Sequence, residues 1–201
     1  MWERIHFLRG FENAMLDIAD DEPRLHELID KIVEYNIEGT RKYLQYREVD
    51  CIAFQDDWGE QFRLMINPEH WRYFFFDAYK RMFQSVHEAG KYVYFHTDGY
   101  LLPIVDDLRR AGADVINLQS GCQTLEDLRE VCYKKVCVSV DLDRQKVMPF
   151  GTPEEMKQHV RDIYYTLEGA QGGVWVKMDV YPDTPLENIR AMAEVFEELR
   201  A

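Results

Sequence analysis

Cysteine is scarce in this chain, and the four present fall in no metal-binding spacing. Cys51, Cys122, Cys132 and Cys137 form no CxxC pair, so neither a zinc ribbon nor a disulfide framework is written here. Cys51 and Cys137 stand in apolar, strand-like runs, where a buried free thiol is expected, and a reducing cytoplasmic setting fits. Positive charge is short as well. Lys and Arg number 24 against 37 Asp and Glu, a formal net charge of −13. Nucleic acids and anionic membranes need a basic face, and this balance argues against both. No apolar run approaches the length of a membrane span, and Met1-Trp2-Glu3-Arg4 does not read as a signal peptide. A P-loop, a GxGxxG turn and a Ser-His-Asp order are missing too. No linker, low-complexity stretch or second composition interrupts the 201 residues, and the 46% hydrophobic content is that of an ordinary globular protein. A single domain over residues 1–201 is expected.

What the sequence does have is alternation. Residues 1–21 are mixed, and suggest a short helical or irregular packing segment. Pro23 opens a long amphipathic helix with Leu25, Leu28, Ile29, Ile32, Val33, Ile37 and Leu44 at helical spacing. From residue 50 strands and helices take turns. The runs 51–55, 91–95, 114–118, 136–140 and 174–177 read as strands. Helices follow them, announced by Asn67-Pro68-Glu69, Thr124, Thr152-Pro153-Glu154-Glu155 and Thr184-Pro185-Leu186-Glu187 as caps. Such alternation implies parallel strands with right-handed crossovers. Five units are visible where a closed barrel needs eight. The expected architecture is therefore α/β, a partial (β/α)8 TIM barrel of about five C-terminal units preceded by a long helix. An open sheet of this kind exposes its edges, so a homo-oligomer or a complementing chain is expected.

The polar residues gather where strands end. His96-Thr97-Asp98-Gly99 closes the second strand, and His and Asp two apart on an extended segment point the same way. Asp56, Asp57, Gln119, Asp141, Asp143 and Asp179 also fall at strand ends, the end of a parallel barrel that carries chemistry. For His96 and Asp98 two readings stand, a functional pair or a hydrogen-bonded strand end. Trp58 and Trp175 either line a flat apolar pocket or pack in the core. Asp141 and Asp143 either face a site or cap a loop. Lys177 and Arg63 are the nearby cations, and Lys177 serves equally well as the partner of a neighbouring acid.

An ordered set of stretches carries a resemblance. Leu8-Arg9-Gly10-Phe11-Glu12, Asp56-Asp57-Trp58-Gly59, Asn67-Pro68-Glu69-His70-Trp71, His87-Glu88-Ala89-Gly90-Lys91, His96-Thr97-Asp98-Gly99, Gly151-Thr152-Pro153-Glu154-Glu155 and Pro182-Asp183-Thr184-Pro185-Leu186-Glu187-Asn188-Ile189 together resemble the uroporphyrinogen decarboxylase superfamily. That superfamily also contains the cobalamin (corrinoid) methyltransferases. The resemblance implies a (β/α)8 barrel whose N-terminal strands are absent here. The methyltransferase branch carries zinc on a His-x-Cys pair and a later Cys, and the zinc activates a thiol. Carried over, the His is His96, the first Cys position is Asp98, and the second falls at Met178 beside Asp179. Both thiolates are replaced. His96 and Asp98 with Asp179 or Asp57 could form a harder site for zinc or another divalent metal.

In the decarboxylase branch of porphyrin (heme) synthesis, the Ser and His positions appear here as Asp56 and Met178. Added acids are electrostatically wrong for its polyanionic substrate. The reading adopted is a methyltransferase-like member that handles a methyl group or a corrinoid-linked substrate, with a corrinoid protein as a partner. His96, Asp98 and Asp57 are its catalytic candidates. Asp56, Trp58, Gln119, Asp141 and Lys177 are its substrate-binding candidates, and His96, Asp98 and Asp179 its metal ligands. The alternatives are the decarboxylase itself and a non-catalytic fragment that completes a barrel with a partner chain.

Overall fold

The structure is a computed structural model, and it describes residues 1–200. Three helices come first: α1 (Trp2–Arg9), α2 (Phe11–Ala19) and α3 (Pro23–Leu44). Then β1 (Cys51–Asp56), α4 (Pro68–His87), β2 (Tyr92–Thr97), α5 (Val105–Ala111) and β3 (Val115–Gln119) alternate. They are followed by α6 (Leu125–Cys132), β4 (Cys137–Asp141), a short α7 (Val147–Phe150), α8 (Pro153–Thr166), β5 (Val174–Lys177) and α9 (Leu186–Arg200). The strands take their places in the sheet in chain order. The pairs β1–β2 and β4–β5 are parallel, in registers that set Cys51 beside Tyr92 and Val138 beside Val174. No helix among the described residues is long and apolar enough to cross a membrane. The chain forms two compact units, Met1–Ile116 and the residues from Asn117 onward, which divide within β3.

In the first unit α4 supplies the core. Trp71, Phe74, Phe75, Ala78, Tyr79, Met82, Phe83 and Val86 are buried, a spacing that lies on one face of a helix. Of its aromatic run, Tyr73 is exposed, while Phe76 lies under the guanidinium of Arg110. Trp58 is fully buried and stacks on Trp2 at 5.4 Å, and its Nε1 donates to the Tyr79 hydroxyl at 2.7 Å. The residues before Pro23, read from sequence as a short helical or irregular segment, are the two helices α1 and α2. Along α3 the first half is buried at Leu25, Ile29, Ile32 and Val33, whereas Tyr35 and Tyr43 in its second half are exposed.

In the second unit the capping box at Thr152 is formed: its hydroxyl accepts the Glu155 N–H at 3.3 Å, and Glu155 accepts the Thr152 N–H at 2.7 Å. Thr152→Ala should therefore cost about 1 kcal/mol of stability, measured as a shift of the urea midpoint at unchanged slope. The similar sequence at Thr184 behaves differently. Its helix begins at Leu186, so Thr184 falls one residue short of the cap position, and its buried Oγ1 finds no partner. The segment is held instead by Asn188, whose Nδ2 donates to the carbonyls of Met148 and Gly151 at 3.0 and 2.7 Å.

Candidate functional site

The first unit gathers Asp57, His96 and Asp98 at the carboxyl ends of β1 and β2. His96 belongs to the strand face of Tyr92 and Tyr94, the face opposite buried Val93 and Phe95. Its Nε2 lies 3.3 Å from Asp98 Oδ1. The main-chain N–H of Asp98 donates to Asp57 Oδ1 at 3.4 Å. Each residue offers a donor atom within 4.8 Å of the other two, and all three are half-buried. Burial first, and the charge of Asp98 second, raise the Asp57 pKa above the usual aspartate range.

Two loops hold this cluster by backbone contact. The Gly59 N–H donates to the Asp98 carbonyl at 3.0 Å, and the Tyr100 N–H donates to the Glu60 carbonyl at 2.8 Å. The Trp58 N–H reaches Thr97 Oγ1 at 3.0 Å. Gly59 and Gly99 approach so closely that a Cβ on Gly99 would stand 2.2 Å from the Gly59 carbonyl group. Gly99 also has φ +86, a backbone region that disfavours side chains. Neither a strand-end motif nor spacing reveals this contact, because it joins two turns distant in sequence.

Asp56 and Trp58, expected on the substrate side, both point into the core. Asp56 shares strand parity with Ile52 and Phe54, and Phe54 packs on Phe83 of α4. Its Oδ2 accepts from the Trp2 N–H at 2.8 Å and the Tyr79 hydroxyl at 2.5 Å, and its Oδ1 accepts from the Glu3 N–H at 2.9 Å. The Met1 nitrogen lies 2.7 Å away. Burial, with Asp56 alongside, pushes the Tyr79 hydroxyl well above its ordinary pKa.

The second unit places the other named residues. Lys177 Nζ bridges Asp179, at 3.0 Å, and Asp141, at 3.7 Å. Asp179 is thus engaged by a cation, and the carboxylate grouped with His96 and Asp98 is Asp57. Asp141 Oδ1 also accepts from buried Asn117 Nδ2 at 2.9 Å. Asn117 is a buried polar partner of Asp141 that sequence reasoning missed, although its polar side chain between apolar neighbours in β3 was a signal. Asp143 caps a turn, accepting the N–H groups of Gln145 and Lys146 at 2.9 and 3.0 Å. The Asp143 N–H in turn donates to His159 Nε2 at 3.1 Å, and burial lowers the His159 pKa. Gln119 is buried, with its carbonyl accepting from Gln123 Nε2 at 2.8 Å. Trp175 is half exposed.

A solved structure described as a methyltransferase from Methanosarcina mazei resembles this chain with a TM-score of 0.75 at 19% identity. The match covers 96% of this chain and 54% of that one, so the chain spans about half the length of that neighbour. The likeness establishes the fold, a partial (β/α)8 barrel. No curated protein matches the sequence to a significant degree. The model of the family described as uroporphyrinogen decarboxylase (URO-D) matches residues 6–199, and with nearly the whole length matched the chain belongs to that family.

Proposed function

We propose that Asp57, His96 and Asp98 bind a divalent cation, and that this is the working site of a methyltransferase-like protein. The observation that carries the reading is the convergence of one imidazole and two carboxylates within 4.8 Å. The donor chemistry fits a divalent ion. Imidazole suits zinc and the other first-row metals, and carboxylate suits harder ions such as manganese. No cysteine is among the three, so the site lacks the thiolates that favour zinc. The raised Asp57 pKa is in keeping, since burial first and the neighbouring Asp98 charge second disfavour its ionised form. A bound metal would supply Lewis acidity at the strand ends.

The chain's own residues do the rest. His96 and Asp98 present donors from one extended segment. The Asp98 N–H orients Asp57, and the Gly59–Gly99 contact fixes the spacing between the two loops. The buried Trp58 and Tyr79 close the core beneath and keep water from that side. The substrate class implied is a methyl-bearing molecule, a corrinoid-linked donor included, either free or carried by a partner protein. A polyanion such as a porphyrinogen is disfavoured, because two carboxylates stand at the centre of the site.

Calorimetric titration with manganese, cobalt and zinc tests the reading. The parent chain should bind one ion. Asp57→Ala, His96→Ala and Asp98→Ala should each weaken binding by about tenfold or more. The double change His96→Ala with Asp98→Ala should add little to either, because ligands of one ion are not independent. Asp98→Cys should shift preference toward zinc, since thiolate suits zinc better than carboxylate does. No binding by the parent, and none gained by Asp98→Cys, would leave His96 and Asp98 as a hydrogen-bonded strand end.

A further inference from the structure

His159, half-buried on α8, joins two loops of the second unit. Its Nε2 accepts the Asp143 N–H at 3.1 Å and lies 3.3 Å from Ser120 Oγ. Accepting an N–H takes a lone pair, so Nε2 is bare and the ring proton sits on Nδ1. Ser120 has one hydroxyl proton, and the Asp141 carbonyl accepts it at 2.8 Å. Toward His159, Ser120 Oγ therefore offers only lone pairs. The two loops also touch, since a Cβ on Gly121 would stand 3.4 Å from Asp143 Oδ1. Asp143 in turn caps its own loop through the Gln145 and Lys146 N–H groups. A serine beside a histidine can be a nucleophile and its base. The proton inventory speaks against that role, because Ser120 gives its proton to a carbonyl and Nε2 is already occupied.

We infer that His159 is a proton switch with two positions: when neutral, its Nε2 holds the main chain of Asp143, and when protonated it releases Asp143 and donates to Ser120 Oγ. The step is the transfer of one proton from solvent to Nε2. Once Nε2 carries it, ring and Asp143 N–H face each other donor to donor, and that contact is lost. Ser120 Oγ accepts the new N–H while its own proton stays on the Asp141 carbonyl. Two anions face the ring and favour its charged form, Asp143 from the loop after β4 and Asp162 of α8 itself. Burial outweighs them, so the ring titrates below the ordinary histidine value of about 6.5. Cations on the packed elements are engaged elsewhere. Glu194 and Glu198 of α9 hold Lys157 and Arg161, Glu168 holds Arg129 of α6, and Asp179 holds Lys177 of β5. With the folded pKa depressed, the Asp143 contact stabilises the fold above about pH 6.5 and is lost as pH falls through the His159 titration. The switched element is the strand-end loop from Asp141 to Lys146, held near neutrality and released in mild acid.

Nuclear magnetic resonance of the full chain, from about pH 8 to about pH 5, tests the inference. At the upper end the ring nitrogens of His159 should show the Nδ1–H tautomer, with the Asp143 amide protected from hydrogen exchange. Through the ring's titration, Asp143 protection should fall at least about tenfold after correction for intrinsic exchange, while Val160 inside α8 keeps its own. His159→Gln should keep Asp143 protected across the whole range, since an amide oxygen accepts an N–H and does not titrate. Ser120→Ala should leave protection at the upper end unchanged and move the ring's titration to lower pH, because the imidazolium loses its acceptor. The inference is overturned by an Nε2–H tautomer at the upper end, or by Asp143 protection that ignores the titration. It is overturned equally if Asp143 and Val160 lose protection together, if His159→Gln loses it as the parent does, or if Ser120→Ala leaves the titration in place.

Discussion

Asp56→Ala is expected to lower the unfolding free energy by about 3 kcal/mol or more, because it strips the acceptor from several buried donors at once. The carboxylate is fully buried and accepts from the Trp2 and Glu3 N–H groups and from the Tyr79 hydroxyl. Alanine leaves all three donors in the core without an acceptor, and each costs about 1–3 kcal/mol when it cannot reach water. Those N–H groups open α1, where the helix dipole also favours a negative charge. Loss of Asp56 should thus loosen the seat of Trp2 on Trp58. Asp17→Ala gives the scale for comparison. Its ion pair with half-exposed Arg9 lies at 2.7 Å, and such surface pairs contribute about 0–1 kcal/mol. Urea denaturation of the two variants, with tryptophan fluorescence as the probe, checks the contrast. An Asp56→Ala loss no larger than that of Asp17→Ala would mean that water reaches the three donors.

The fold is partly legible in the sequence. The alternation of strand and helix, the buried face of α4 and the caps at Asn67, Thr124 and Thr152 all follow from local spacing. Each is formed by residues that are neighbours in sequence. Asp56 was read as one more acid at a strand end, on the site side. Counting by twos would have corrected this, because it shares parity with Ile52 and Phe54 rather than with Gln55. The third member of the cluster was harder to read. On sequence both Asp57 and Asp179 follow a strand, and Asp179 is the one named there as the metal ligand, with Asp57 among the catalytic candidates. What separates them is tertiary: the Asp98 N–H reaches Asp57, and Lys177 holds Asp179. The cap expected at Thr184 failed for a local reason, a helix that starts one residue later than its sequence suggests.

The loops that carry Asp57 and Asp98 make the other large prediction. Gly99→Ala should cost about 3 kcal/mol and disable the proposed metal binding, while Gly90→Ala should cost much less and leave that binding as in the parent. Both glycines have positive φ, +86 at Gly99 and +70 at Gly90, so both substitutions carry the left-handed backbone penalty of about 1–2 kcal/mol. They differ in what a Cβ would meet. At Gly90 nothing lies within 4 Å. At Gly99 the new carbon would stand 2.2 Å from both the carbon and the oxygen of the Gly59 carbonyl. Backbone cannot swing aside as a side-chain tip can, so the loops must part. Overpacking of this kind costs about 1–3 kcal/mol. Parting them would break the Gly59–Asp98 and Tyr100–Glu60 hydrogen bonds and move Asp57 away from His96 and Asp98. Gly59→Ala should act alike, since its Cβ would stand 2.4 Å from the Tyr100 nitrogen. Unfolding midpoints and calorimetric metal titration of the three variants separate the two effects. If Gly99→Ala binds metal like the parent and unfolds like Gly90→Ala, the backbone contact does not set the geometry of the site.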